Sequence, residues 1–330
     1  MPPNAYPLTP NAPLFITGTA GFIGFHLARR LLDDGYSVIG YDNFNDYYSV
    51  KLKRDRHAIL EKYKSYTGIE ADLCDVEELK TAFKKYKFRT VCHLAAQAGV
   101  RYSLTHPEVY QKSNIEGFLN ILEACRHNDV ERLVYASSSS VYGGNTKLPF
   151  SEDDPVDTPI SLYAATKKAN ELMAYTYSHL YDLQTVGLRF FTVYGPWGRP
   201  DMAMWLFTKA MLEGKSIPVF NHGNMRRDFT YIDDIISGTK ASLFVDGLDK
   251  CEVMNLGNHR SEQLMDMISV LGETLGIQPE MDLLPMQPGD VEATFADIER
   301  AQSKLGFAPS TPISEGIPKF VEWLVSYEKG

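Results

Sequence analysis

The chain has 330 residues, 44% hydrophobic and 23% charged, the balance of a globular protein large enough to bury a sizeable core. Its net charge of −9 and the lack of any basic run exclude non-specific nucleic-acid binding, so an anionic ligand needs local positive groups. No stretch approaches the roughly 18 apolar residues of a membrane span, so no membrane partner is expected.

The first ten residues are proline-rich without an apolar core segment and read as a short flexible leader, not a signal peptide. Residues 14–17 are an apolar run ending at Gly18, a buried-strand pattern, and residues 22–32 carry apolar side chains at Ile23, Leu27 and Leu31, a helical period. Further strands are expected at 36–41, 69–72, 90–95, 132–136 and 185–189, with helices near 76–86, 104–128 and 162–182. Strand–helix alternation of this kind predicts an α/β fold, a Rossmann-like doubly wound parallel sheet. After about residue 195, helices near 203–213 and 261–275 flank short runs rich in Gly and Pro, and residues 228–233 through 253–256 return to the sheet. The expected division is a dinucleotide-binding domain at 1–190, re-entered at about 227–258, and a smaller C-terminal α/β substrate-binding region at 191–330.

Cys74, Cys92, Cys125 and Cys251 form no C-x-x-C pair, which points to free thiols in a reducing, cytoplasmic setting. The eight histidines show no ligand spacing, so no metal site is expected.

Gly18-Thr-Ala-Gly21-Phe-Ile-Gly24 follows a strand, opens a helix, and has an acid, Asp42, at a strand end about 20 residues on. In that context the glycines let the backbone approach a pyrophosphate, and the helix N-terminus favours its charge. Gly18, Ala20, Gly21, Phe22, Ile23 and Gly24 are therefore candidate cofactor contacts. Asp42, with Asn43 beside it, is placed for the adenosine ribose, and a 2′-phosphate there would face a carboxylate, so NAD is expected over NADP. Asp72 and Leu73 end the third strand near the adenine, and Leu94, Ala95 and Ala96 are small enough to let the cofactor lie close.

Tyr163 and Lys167 stand four apart on a predicted helix, so both can face one cleft. A tyrosine of pKa about 10 is a poor base at neutral pH, and a lysine cation nearby would favour the phenolate. By itself Tyr-x-x-x-Lys is as readily an exposed helix face. Combined with the glycine turn and with Ser137-Ser-Ser-Ser140 before Val141-Tyr-Gly143, the chain resembles the extended short-chain dehydrogenase/reductase family of nucleotide-sugar enzymes, from about residue 14 to 323.

The resemblance implies that Tyr163 is the base, Lys167 its electrostatic partner and ribose anchor, and Ser138 the hydroxyl that positions the sugar oxygen. Related 4,6-dehydratases carry Asp-Glu where this chain has Ser139 and Ser140, and related decarboxylases carry a Glu beside the valine, so the serines point to epimerisation. The stretches 42–48, 93–101, 189–199, 221–233 and 288–290 are similar to UDP-glucuronate 4-epimerases, NAD-dependent isomerases. UDP-galactose epimerases usually have Asn at the position of Thr192. Here a hydroxyl, with Ser139 and Ser140, would bind the sugar carboxylate, unless Thr192 is satisfied by its own backbone.

Arg199 and Arg227 are candidates for the diphosphate, since guanidinium forks match phosphate oxygens. Arg101 is a candidate for the substrate anion or for a structural salt bridge. Asp290 matches the acid that binds the uridine ribose, while Gln287 stands where galactose epimerases have an arginine.

The implied reaction interconverts UDP-glucuronate and UDP-galacturonate through a transient 4-keto sugar, with a tightly bound NAD regenerated each cycle. Rival readings are epimerases of UDP-N-acetylhexosamines, their uronates or UDP-galactose, a UDP-glucuronate decarboxylase, and a redox-inactive NAD sensor. The resemblance further implies a homodimer packed through the helices near 104–128 and 162–182.

Overall fold

The computed structural model describes residues 12–287 and 290–329. The expected leader lies outside these residues, as do Pro288 and Gly289 of the Pro-Gly-Asp290 motif.

Strand β1 (Leu14–Thr17) is wholly buried and runs through the glycine turn into helix α1 (Phe22–Asp33), whose Phe25, Leu27, Ala28 and Leu31 pack inward. Strand β2 (Val38–Asp42) pairs with β1, and helix α2 (Val50–Leu60) follows, capped by the Ser49 side chain on the Leu52 amide. Then come strand β3 (Tyr66–Glu70), helix α3 (Val76–Tyr86), capped by Asp75, and strand β4 (Thr90–His93). Sequence periodicity misses α2 because its apolar residues are sparse. It places the third strand at 69–72, three residues late, since Tyr66 and Thr67 pair with Val38 and Ile39.

The helix expected at 104–128 is interrupted. Helix α4 (Pro107–Tyr110) leads into a π-helical turn over 111–116 and then helix α5 (Gly117–Arg126). The cause is Asn114. Its side chain bonds the amide and carbonyl of Gln97 and the Thr166 hydroxyl, and its carbonyl accepts the Asn170 amide at 2.6 Å. A widened turn frees that carbonyl from the helical ladder.

Strand β5 (Arg132–Ser138) ends in a 3₁₀ turn over 139–142, and helix α6 (Leu162–Tyr181), N-capped by Ser161, precedes strand β6 (Gln184–Phe190). Short strand β7 (Thr192–Tyr194), helix α7 (Ala203–Leu212) and strands β8 (Ile217–Val219), β9 (Arg226–Arg227) and β10 (Phe229–Tyr231) follow. Helix α8 (Ile232–Phe244) leads to strand β11 (Cys251–Leu256). The rest is strand β12 (Glu262–Gln263), helix α9 (Leu264–Leu275), strand β13 (Met281–Leu283), and helices α10 (Glu299–Leu305) and α11 (Ile313–Lys329).

Seven strands form one parallel sheet in the order β11-β6-β5-β4-β1-β2-β3. Residues 228–233 do not rejoin it. Strand β10 pairs instead with β7, because Phe191 and Thr192 have already turned out of the sheet, and only β11 adds at its edge. The strand order reverses between β1 and β4, and at such a switch point the carboxyl ends of the strands open a crevice.

Candidate active site

That crevice is a cleft of about 950 Å³ running from Asp42 and Asp72 at one end to Arg227 and Asp290 at the other. Every candidate site residue named from the sequence lines it except Ala20. That side chain is fully buried, and its amide instead donates to Asp42 Oδ2 at 3.0 Å.

At the glycine turn, Gly18 has φ +78°, and a Cβ there would lie 2.8 Å from the Ala95 amide nitrogen. A Cβ on Gly24 would lie 2.1 Å from the Gly18 carbonyl. Only glycines let α1 start this close to β1 and β4, leaving bare backbone on the cleft side. Asp42 at the end of β2 accepts from Ala20 and from the Phe44 amide at 2.9 Å, which fixes the carboxylate at the rim. Burial pushes its carboxyl above the usual range, against the pull of the Phe44 amide and the Lys53 charge. Asn43 Nδ2 donates to Asp72 Oδ2 at 2.9 Å, tying the ends of β2 and β3 together at the adenine end. These features fit a dinucleotide: an acid at the ribose position, a backbone cradle for the diphosphate, and a long groove between them.

At the centre, α6 presents Tyr163 and Lys167 to the end of β5. Lys167 is buried, and its Nζ donates to the Ala136 carbonyl at 3.0 Å. Burial lowers its pKa to about 8. Burial raises the pKa of the Tyr163 phenol, opposed by the nearby Ser138 hydroxyl and by the charge of Arg199. Arg199 thus adds a cationic pull on the phenol that the sequence did not suggest, and burial outweighs it. Ser138 Oγ also accepts from the Ser140 amide at 3.2 Å and the Ser140 hydroxyl at 2.9 Å. Ser140 is therefore turned toward Ser138, whereas no side-chain hydrogen bond joins the Ser139 or Thr192 hydroxyl to any described residue. The alternative in which Thr192 satisfies its own backbone is not the arrangement found.

Behind this centre, α6 is locked in place. Glu171, one turn past Lys167, accepts from Ser137 Oγ at 2.7 Å and takes a bidentate fork from Arg189 at 2.8 and 2.9 Å. Arg189 also donates to Tyr142, whose hydroxyl reaches Asn255 on β11.

At the far end, Arg101 is paired with Asp290 at 2.8 Å and lies 4.6 Å over the Phe220 ring. Arg227 donates to the carbonyls of Arg226 and Glu292, with Asp290 and Arg101 close enough to act on its charge. Arg199 forks onto Asp201 at 3.0 and 2.5 Å, and Tyr47 donates to the same carboxylate at 3.0 Å. Burial pushes the Tyr47 phenol up to about 12. Sequence reading missed Tyr47, Asp201, Lys53 and Arg56. For Asp201, its spacing two residues past Arg199 was the available signal. Among the described residues, no group of three or more His, Cys, Asp or Glu side chains could hold a metal ion.

The profile of the NAD dependent epimerase/dehydratase family matches residues 14–257. UDP-glucuronate 4-epimerase 4 of Arabidopsis thaliana is 50% identical, over 96% of this chain and 76% of the relative. A probable UDP-glucuronate 4-epimerase of Rhizobium meliloti is 43% identical, over 93% of this chain and 95% of the relative. Among solved structures, the UDP-glucuronic acid 4-epimerase of Bacillus cereus, in complex with UDP-glucuronic acid and NAD, superposes with a TM-score of 0.89 at 35% identity. That match covers 95% of this chain and 99% of the other.

Proposed function

The chain belongs to the NAD dependent epimerase/dehydratase family, and we propose that it is an isomerase that interconverts UDP-glucuronate and UDP-galacturonate through a transient 4-keto sugar. The observation that carries this reading is the placing of Tyr163 beside Ser138 at the middle of one cleft, with the cofactor cradle on one side and the arginine-rich end on the other.

Bound NAD supplies the acceptor and donor of the sugar's C4 hydride. Gly18 and its neighbours, Asp42 and Lys167 would hold it. Tyr163, as phenolate, takes the proton of the C4 hydroxyl, and Ser138 orients that oxygen. When the ketone has turned its other face, Tyr163 returns the proton. Arg101, Arg227 and Asp290 hold the uridine diphosphate, so the sugar can rotate about a fixed anchor. Thr192, Ser139 and Ser140 line the space for the sugar's C6 carboxylate with hydroxyls. Because a 4-keto uronate is a β-keto acid, these donors have to keep the carboxylate from aligning for loss of CO2.

The test is proton NMR of the purified protein with UDP-glucuronate and no added cofactor. UDP-galacturonate is the expected product and shows that NAD is retained. A UDP-pentose product would make the protein a decarboxylase, and no turnover even with added NAD would move the substrate to neutral UDP-hexoses.

Two features of the surroundings are part of the same reading. Leu119 on α5 and Leu172, Tyr175 and Leu180 on α6 are exposed apolar residues, and a second copy packed on these helices would cover them. We further propose that the protein works in the cytosol, a reading supported by its four free cysteine thiols. No helix among the described residues is long and apolar enough to cross a membrane.

A further inference from the structure

Arg56 is fully buried, and no carboxylate of the described residues lies within ion-pair distance of it. Its guanidinium donates only to neutral oxygens: the Ala20 carbonyl at 2.8 Å, the Tyr48 hydroxyl at 2.9 Å, and the carbonyls of Trp197 at 2.6 Å and Gly198 at 2.9 Å. Its Nε has no partner at all. One helical turn earlier, Lys53 is 4% exposed, and its Nζ likewise reaches only neutral groups, the Asn45 carbonyl at 2.6 Å and the Asn45 side-chain oxygen at 2.7 Å. Burial lowers the Lys53 pKa to about 8, so its environment resists the charge. Both cations also lie over the Tyr48 ring, 4.4 and 5.6 Å from its centroid.

Taking a guanidinium out of water without an anion is costly, and natural cores pair such charges. The carboxylate acting on both cations is the partly buried Asp42, already committed to the Ala20 and Phe44 amides. Asp46 also acts on Lys53 but is exposed to water, so the two cations leave a positive excess next to the glycine turn. Arg56 holds the carbonyl of Ala20, the residue inside that turn, so it sits directly behind the backbone that a dinucleotide diphosphate would approach. Lys53 itself lines the cleft.

We propose that Lys53 and Arg56 form a buried cationic wall behind the glycine turn that supplies the counter-charge for the diphosphate of the bound dinucleotide. This deepens the reading of the cleft as a NAD site and rests on it. In this arrangement Arg56 is a positioning residue acting through the Ala20 carbonyl, and Lys53 adds its charge at the cleft wall. The missing anion of α2 is the ligand itself, which explains why an enzyme that must keep its cofactor through each cycle tolerates an unpaired buried arginine.

The test uses purified full-length protein stripped of nucleotide, and calorimetric titration with NAD, ADP-ribose, ADP and adenosine. The variants are Arg56→Met, Arg56→Lys and Lys53→Gln. Expected is a loss on the order of tenfold or more in affinity for NAD, ADP-ribose and ADP in Arg56→Met and Lys53→Gln, because charge-assisted contacts to phosphate are lost. Adenosine, which lacks the diphosphate, should bind as to the unsubstituted protein, and Arg56→Lys should keep most of the ADP affinity. An equal loss for adenosine and ADP would make the two residues structural supports and overturn the proposal. Unchanged ADP affinity in Lys53→Gln, whose side chain is at the cleft wall, would overturn the Lys53 part even if Arg56→Met fails to fold. Absence of NAD binding by the unsubstituted protein would instead sink the cofactor site as a whole, a different and separable failure.

Discussion

The Arg101 guanidinium donates to the Asp290 carboxylate at 2.8 Å, joining the loop after β4 to the segment after β13 across the arginine-rich end of the cleft. From the sequence, Arg101 is a candidate for the substrate anion or for a structural salt bridge, and the family resemblance implies that Asp290 binds the uridine ribose. Both ideas hold together if an incoming UDP-sugar exchanges the pair: diphosphate for Asp290 at Arg101, ribose hydroxyls for Arg101 at Asp290. Asp290→Asn should then raise KM for UDP-glucuronate on the order of tenfold with kcat little changed, since both substrate and transition state lose the same contact. Steady-state kinetics check this, and an unaltered KM would leave the pair a structural bridge only.

Tyr163→Phe keeps the ring and removes the hydroxyl beside Ser138. Activity should fall by about 10²–10⁴ or more, the range of a lost general base, while NAD content stays at the level of the unsubstituted protein. Nucleotide released on denaturation and product NMR give the two readouts. Substantial residual turnover would remove Tyr163 from the role.

Thr192→Val deletes a hydroxyl that has no side-chain hydrogen bond to any described residue, so the fold should be undisturbed. Expected are a higher KM for UDP-glucuronate and a UDP-pentose by-product with released CO2, as the carboxylate loses a donor. Wild-type kinetics with no by-product would show that the carboxylate is held elsewhere, with Arg199 the next candidate.

Glu171→Gln breaks a buried fork and leaves Arg189 without a counter-charge. Removing one partner of such a pair costs about 3–5 kcal/mol. The measurement is a denaturant or thermal unfolding curve. A stability within 1 kcal/mol of wild type, well under the typical loss, would mean that Tyr142 and water compensate Arg189.

Acid should weaken the fold through two histidines, the half-buried His26 and the buried His93. Burial, the main cause, lowers the pKa of His26 to about 4 and that of His93 to about 3, from 6.5. Between pH 6.5 and 4 the unfolded chain therefore binds protons that the native state refuses, and stability present above pH 6.5 is lost as the pH falls. Asp228 acts in the opposite sense, since burial raises its pKa to about 6 and the native state holds a proton there that the unfolded chain has released. Asp42, Glu152 and Asp233 are raised by burial as well, by less, and the two larger histidine shifts leave a net loss. Thermal unfolding at pH 7, 6, 5 and 4.5 should show a declining midpoint, and His26→Gln, which can still donate to the Pro196 carbonyl, should flatten the decline.

The parts of this protein legible from the sequence are those encoded by short-range pattern. Gly18, Gly21 and Gly24 announce a tight strand-to-helix turn because no other residue fits there, and the fully buried strand β1 before them is a plain apolar run. Tyr163 and Lys167 share a helix face by spacing alone. The features that escaped have weaker local signals: α2 has few apolar residues, β10 is three residues long and its pairing with β7 is not local, and the π turn at Asn114 answers to Gln97, Thr166 and Asn170, which no local window contains.

The sequence by itself determined the alternating α/β chain, the cofactor turn, and the residues that can move a proton, because spacing of 2, 3.6 and 4 residues is a property of the backbone. Only the tertiary structure decided which charges meet. Arg199 acts on the Tyr163 phenol, Arg101 finds Asp290 across 189 residues, and Arg56 ends up buried with no carboxylate within ion-pair distance. Charge pairing depends on distance in space and on what is removed from water, and neither is written in the order of the residues.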